Sequence, residues 1–209
     1  MTELYYGIPA HLENQVLERW VKERVSQKRF DHIQGVMLVG EQISTRAGMD
    51  PYPVWLACLL HDACKEIKND DLLRESRRLG LKIGKQEKDN PHILHGPVAA
   101  LTVREVFGID NGDILSAIAE HTLGSTTMCE ISKVVYLADA LEASRPDALT
   151  EPVWQALGRD GEPDLDAAIF QASNLVLRHL LEKGKPIHTK AVKVRNHFLA
   201  RLKKRDRRA

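Results

Sequence analysis

All-α is the fold class this sequence predicts, and three observations predict it. Apolar residues recur at three- and four-residue steps along nearly the whole chain, the spacing of one helix face. No segment shows the sustained alternation of a half-buried strand, and no internal repeat is visible. Gly48, Pro51, Pro53, Gly184 and Pro186 fall between the periodic segments, where they end one helix or open the next.

Taken in order, Leu12, Val16, Leu17 and Trp20 mark an amphipathic first helix introduced by Pro9. A second helix is expected from Arg29 to Thr45, with Ile33, Val36, Met37, Gly40 and Ile43 facing inward. Gly48 and Pro51 end it, and Pro53 suits the first turn of a third helix, Val54–Asp62. That helix is apolar on most sides and therefore central. The polar stretch Lys65–Asn90 holds one short helix, Asp70–Leu79, then loses periodicity around Gly80, Gly84 and several lysines. It reads as a mobile excursion outside the core, with a lid over substrate left open. Helical patterns return at His95–Phe107, Asp113–Thr122 and Glu130–Leu141. Ser144–Pro163, carrying Pro146, Pro152, Gly158 and Gly161, reads as loop. Two C-terminal helices, Leu165–Lys183 and Thr189–Lys203, occupy the region 164–204, and a basic tail, 205–209, closes the chain.

Length and composition bound the class. The 209 residues suit one domain, 1–209, and 43% hydrophobic with 28% charged residues allow a real core. A net charge of +1 gives no global case for nucleic acid or a membrane surface. Cys58, Cys64 and Cys129 are odd in number and lack CxxC spacing; they speak against a disulfide framework and fit a reducing cytoplasm. Met1–Ala10 has no basic segment before an apolar stretch, so no signal peptide is expected. No run approaches the roughly 18 to 20 apolar residues of a membrane span.

The chemistry starts from His61-Asp62, which closes the apolar run Val54–Leu60. Sequence with that burial pattern rarely ends on an adjacent imidazole and carboxylate unless a cation sits there. His32 upstream and His95, His121 and Asp139 downstream complete four histidines and two aspartates. Adjacent residues on a regular helix point about 100° apart. His61 and Asp62 therefore serve one centre if the helix ends there, or if Asp62 reaches a second ion; a bridging Asp62 satisfies both. On that reading His32, His61, Asp62 and Asp139 hold one metal, and Asp62, His95 and His121 hold the other. Asp139 lies in an apolar helix beside Val134, Val135, Leu137 and Ala138, where an unpaired charge would cost several kcal/mol. The ligand count leaves coordination positions open, as catalytic sites do. His11, His92, His179, His188 and His197 are read as ordinary core or surface histidines.

These residues carry a resemblance. The order His…His-Asp…His…His…Asp resembles the HD-domain superfamily of metal-dependent phosphohydrolases. More narrowly, the chain looks like the YqeK-type HD-domain hydrolases. The matching stretches are Arg29-Phe30-Asp31-His32, Leu60-His61-Asp62-Ala63-Cys64-Lys65 and His95-Gly96-Pro97-Val98-Ala99-Ala100. They continue through Ala117-Ile118, His121-Thr122, Gly124 and Met128 to Ala138-Asp139-Ala140-Leu141-Glu142 and Arg145. The likeness is closest over 29–145. It implies a helical HD bundle, two iron ions on the six ligands, and symmetrical cleavage of diadenosine tetraphosphate into two ADP. Two departures stand out: Ala143 where a proline is common, and Ser125, Thr126 and Thr127 where some members carry a basic residue.

The expected centre is net cationic, because two divalent ions outweigh Asp62 and Asp139, and it attracts polyphosphate. Asp62 and Lys65 are the expected catalytic residues. Lys65 follows Asp62 by three residues and, if helical geometry persists, reaches a phosphate oxygen from the same side. Arg29 and Arg145 suit phosphate contacts. Thr122 and Glu142 join the substrate-binding set as groups able to orient a ligand histidine or a water. Imidazole and carboxylate also accept manganese, zinc or nickel. A dinucleoside polyphosphate is the expected partner, and the reading admits a homodimer. The alternatives are an HD-type nucleotidase or deoxynucleotide phosphohydrolase, and a non-catalytic module binding nucleotide or RNA through its basic tail. The first reading of that tail is a frayed helix end whose cations favour the dipole's negative pole, since no aromatic residue interleaves with it beyond Phe198.

Overall fold

The computed structural model describes residues 4–158 and 160–207 and is helical almost throughout. Residues 1–3, at the start of the stretch read for a signal peptide, lie outside it, as do Arg208 and Ala209 of the basic tail. One departure from an all-helical chain comes first. Strand β1 (Leu4–Tyr5) pairs antiparallel with β2 (Ile8–Pro9) across the turn Tyr6-Gly7, in register Leu4↔Pro9 and Tyr5↔Ile8. Pro9 therefore ends a hairpin rather than introducing a helix, and strands of two residues are too short to show alternation.

Helix α1 (Asn14–Lys22) buries Leu17, Trp20 and Val21. α2 (Gln27–Arg46) is capped by Ser26, whose hydroxyl accepts from the Arg29 N–H, and buries Phe30, Ile33, Val36, Gly40 and Ile43. α3 (Pro51–Leu60) starts earlier than expected, because Asp50 accepts from Tyr52 N–H and Pro51 suits the first helical position. It also ends earlier: His61 is the cap and Asp62 lies in the turn beyond. Val54, Leu56, Ala57, Cys58, Leu59 and Leu60 are fully buried, so α3 is the centre of the core.

The stretch after Lys65 is not an excursion. α4 (Asn69–Arg78) buries Leu72 completely, and Arg78 reaches Glu105 at 2.9 and 2.7 Å. α5 (Lys85–Asp89) and a short 3-10 turn (Pro91–Leu94) follow. Glu87 pairs with His188 at 3.1 Å, and Gln86 accepts from the Thr189 hydroxyl at 3.0 Å. Long-range polar partners anchor this segment where its own periodicity is weak.

α6 (His95–Phe107), α7 (Gly112–Glu120) and α8 (Glu130–Leu141) pack in succession, with α8 also against α2 and α3. The expected loop 144–163 contains instead α9 (Asp147–Leu157), packed on α10 and α8. Pro146 precedes its first turn, where no N–H is needed, while Pro152 costs it one internal hydrogen bond. Burial of Val153 and Leu157 offsets that loss. α10 (Leu165–Glu182) and α11 (Thr189–Asp206) form the closing helical pair. The basic end of α11 pairs internally: Arg201 with Asp166 at 2.5 Å and Arg205 with Asp164 at 2.6 Å.

Candidate metal centre

Helix ends build the centre. His61 caps the C-terminus of α3, His121 caps that of α7, His95 opens α6, and Asp139 stands in the last turn of α8. His32 joins from the second turn of α2. His61 and His95 are fully buried, while Asp62, His121 and His32 are 2%, 3% and 9% exposed. Such burial of titratable groups needs compensation.

Each histidine has one nitrogen engaged on its far side. His61 Nδ1 lies 2.6 Å from the Cys58 carbonyl, His95 Nδ1 2.5 Å from that of His92, and His121 Nδ1 2.8 Å from that of Ile118. His32 Nδ1 lies 3.1 Å from Glu142 Oε1. Carbonyls only accept, so Nδ1 carries the proton in the first three, and a carboxylate sets the same tautomer in the fourth. All four Nε2 lone pairs therefore face inward.

Asp62 separates them into two groups. Its Oδ1 lies 3.1 Å from His95 Nε2 and 3.4 Å from His121 Nε2. Its Oδ2 lies 3.5 Å from His61 Nε2 and 3.8 Å from His32 Nε2. Asp139 Oδ1 stands 3.2 Å from His32 Nε2. The result is two donor groups, His32–His61–Asp62 and Asp62–His95–His121, within each of which the donor atoms lie no more than 4.8 Å apart.

These donors fit metal ions better than they fit one another. His95 Nε2 and His121 Nε2 are 2.9 Å apart, yet with both Nδ1 atoms protonated neither has a proton for the other. Thr122 Oγ1, 3.2 and 3.0 Å from them, has one hydroxyl proton for two nitrogens, and the Lys65 ammonium, 3.2 Å from His95 Nε2, is the other donor in reach. Nε2 of His32, Nε2 of His61 and Oδ1 of Asp62 are buried without a hydrogen-bond partner among the described residues. Converging lone pairs and carboxylate oxygens are the donor chemistry of a divalent transition metal.

Protonation follows the surroundings. Burial pushes the His95 imidazole down to about 4, which keeps it neutral. Burial opposes the charge of Asp139, but its contacts with His32 and the Arg145 guanidinium hold its carboxyl below the usual range. Burial draws the Lys65 ammonium down, against the pull of Asp62 and Asp139.

The remaining expected residues surround this core. Lys65 Nζ is 3.2 Å from His95 Nε2. Arg29 Nη1 donates to Asp62 Oδ2 at 3.0 Å, and Arg145 Nη2 to Asp139 Oδ1 at 2.8 Å. Both arginines steady carboxylates of the candidate centre and also line cavities. Glu142, 2% exposed, contacts His32 and Ser144; its placement is that of an orienting group. Gly35 makes room for it, since a Cβ there would meet Glu142 Oε2 at 2.9 Å. At Gly96 a Cβ would come within 2.9 Å of the Ile118 carbonyl and 3.1 Å of the His121 ring. The carbonyls of Cys58, His92 and Ile118 were invisible to a reading of side-chain types. Each stands three residues before its histidine, the one signal that pointed to them.

Two cavities flank the centre. One, of 280 Å³, lies between α8, α9 and α10 and shares His121, Thr122, Asp139 and Arg145 with the centre. The other, of 700 Å³, lies on the α2 side beside His32, Arg29, Glu142 and Arg145.

The chain matches the HD domain family over residues 29–144. It is 31% identical to a protein of Halalkalibacterium halodurans over 188 residues, covering 88% of this chain and 95% of that one. It is 29% identical to a protein of Bacillus subtilis strain 168 over 167 residues, covering 80% and 87%. Both relatives are named "Bis(5'-nucleosyl)-tetraphosphatase, symmetrical". A crystal structure from Clostridium acetobutylicum, described as a predicted HD superfamily hydrolase involved in NAD metabolism, superposes with a TM-score of 0.84. It is 24% identical and covers 91% of this chain and 98% of its own, a likeness of fold.

Proposed function

This chain belongs to the HD-domain family, and from that premise we propose that it hydrolyses diadenosine tetraphosphate symmetrically to two ADP at a two-metal centre. The observation that carries this reading is the buried donor set split by Asp62, present in a chain whose near-full-length relatives bear the name of that activity. His32, His61, Asp62 and Asp139 would hold one ion; Asp62, His95 and His121 would hold the other. Iron is the proposed metal, from the family resemblance, and manganese, zinc and nickel suit the same donors. When bound, the ions supply Lewis acidity, stabilising charge on phosphoryl oxygens and making a water nucleophilic at neutral pH.

The chain's own residues do the rest. One bond forms between the water oxygen and an inner phosphorus, the central phosphoanhydride P–O bond breaks, and two ADP result. Lys65, held against His95 and drawn toward the centre by Asp62, places a point charge beside the transferring phosphoryl group. Arg29 and Arg145 have donors beyond those given to Asp62 and Asp139, directed to the polyphosphate. Thr122 and Glu142 hold the rings of His95, His121 and His32.

The core runs continuously from Leu17 of α1 to Phe198 of α11, which supports reading the whole chain as one domain. Cys58, Cys64 and Cys129 are free thiols, which supports the cytoplasm as its compartment. No helix among the described residues is long and apolar enough to cross a membrane.

The test is product identification with the purified protein, alongside its metal content. ADP as sole nucleotide product, with two metal ions per chain, is the expected outcome. Formation of AMP and ATP, or a preference for nucleoside monophosphates, would overturn the assignment.

A further inference from the structure

The two cavities beside the centre differ in chemistry, although a diadenosine tetraphosphate has two identical ends. The α8–α9–α10 cavity is walled by Val153, Ala172, Leu175, Val176 and Leu180. Its interior hydroxyls are already engaged: Thr122 with the ligand histidines, and Tyr136 with Ser173 at 3.4 Å. At 280 Å³ it lies near the lower bound of ligand pockets, about 300 Å³, and accommodates one purine ring with its sugar. The α2-side cavity, at 700 Å³, has no apolar side chain larger than that of Ala143. Lys28, Arg29 and Arg145 line it, opposed by Asp31, Glu66 and Glu142. Of these acids, Glu66 is occupied by Ser26, and Glu142 by Ser144 and His32. This second cavity is wide and charged. It suits a phosphate tail and lacks the apolar wall against which a base would bury.

Resting on the proposed activity, we infer that only one nucleoside of the substrate is gripped, in the α8–α9–α10 cavity, while the other half is held through its phosphates. Arg145 lines both cavities and pairs with Asp139 between them, so it marks where the polyphosphate passes from one to the other. A consequence is a further activity. A mononucleoside 5'-tetraphosphate presents the gripped nucleoside and the four phosphates, and lacks only the half that makes no base contact. The chain should therefore hydrolyse adenosine 5'-tetraphosphate between its second and third phosphorus atoms. A water oxygen bonds to phosphorus, the bridging P–O bond breaks, and ADP and pyrophosphate leave.

The experiment compares adenosine 5'-tetraphosphate with diadenosine tetraphosphate and measures ADP binding to the metal-loaded protein by calorimetry. The expected results are kcat/KM values within about tenfold of each other, a difference of about 1.4 kcal/mol or less, and one tight ADP per chain. Val176 lies at the solvent edge of the cavity, 42% exposed, and Val176→Trp should weaken ADP binding about tenfold or more by filling it. If that variant fails to fold, Leu180→Trp at the same edge replaces it. Two equivalent ADP sites, a tetraphosphate cleaved more than about a hundredfold less well, or unchanged ADP binding in the folded variant would overturn the inference. Cleavage of neither substrate would sink the proposed activity instead, and ADP calorimetry on the variant would still decide what the cavity holds.

Discussion

Replacing Glu142 tests whether the centre depends on groups that never touch metal. The carboxylate is 2% exposed and lies 3.1 Å from His32 Nδ1. It also accepts from Ser144 N–H at 3.0 Å and from the Ser144 hydroxyl. Glu142→Ala strands the buried His32 N–H, while the amide of exposed Ser144 can turn to water. One unsatisfied buried donor costs about 1 to 3 kcal/mol, so a loss of that size in stability is expected. The freed His32 ring no longer presents Nε2 on a fixed line, and groups of this kind are worth about 10- to 100-fold in metal affinity. Glu142→Gln keeps the shape and one acceptor, so it should fall between wild type and alanine on both scales. Thermal denaturation in the presence of chelator reads the first quantity, and competition against a chromophoric chelator reads the second. An alanine variant that binds metal as wild type does, or a glutamine variant weaker than alanine, would refute the orienting role.

Asp62→Asn should empty both halves of the centre at once, because each carboxylate oxygen faces a different histidine pair; metal per chain falls to background and turnover drops by about three orders of magnitude or more, while the far-ultraviolet circular dichroism remains helical. Loss of only one metal ion would instead assign Asp62 to one side. Gly96→Ala should cost about 1 to 3 kcal/mol through overpacking and displace His121, read as a lower melting temperature together with weaker metal binding; an unchanged melting temperature would show that α6 can yield. Asp166 gives the pH dependence: burial opposes its ionisation, but Arg201 and Lys133 hold the carboxyl below its ordinary 3.8. A depressed folded pKa means the stabilisation is complete above 3.8 and is lost as pH falls below it through the folded value. The stability gap between wild type and Asp166→Asn, about 1 to 3 kcal/mol near neutral pH, should therefore narrow only in that acid range; a gap that closes near neutrality would contradict the pairing.

Much of the fold was legible because burial is periodic. His95–Phe107 and Glu130–Leu141 are the same in sequence and structure, since each carries an uninterrupted apolar face. α9 was not legible. Its prolines argue for a loop on local grounds, and only the burial of Val153 and Leu157 against α10 and α8 reverses that. The segment after Lys65 failed for the same reason: Leu72 and the Gln86 and Glu87 contacts to Thr189 and His188 are tertiary facts. At the centre, residue type and order were enough to choose His32, His61, Asp62, His95, His121 and Asp139. The engagement of Arg29 with Asp62 and of Arg145 with Asp139 was not, because it depends on which helix ends meet.

Those helix ends also explain why the arrangement recurs within one chain. A helix leaves its last four carbonyls unpaired, and His61 and His121 each turn Nδ1 onto one of them, Cys58 and Ile118. One hydrogen bond thereby satisfies an orphan carbonyl, fixes the tautomer and aims Nε2 at the centre. α3, α7 and α8 all end at the centre, so the negative poles of three helix dipoles meet there and favour a cation before any ligand is counted. His61-Asp62 occupies that position because the end of α3 supplies both needs: a carbonyl to orient the histidine, and a break in the helix that lets the next residue face both donor groups. A helix continued past His61 would keep the nitrogen engaged on its own axis and turn Asp62 about 100° away, and the second pair of histidines would have no shared carboxylate.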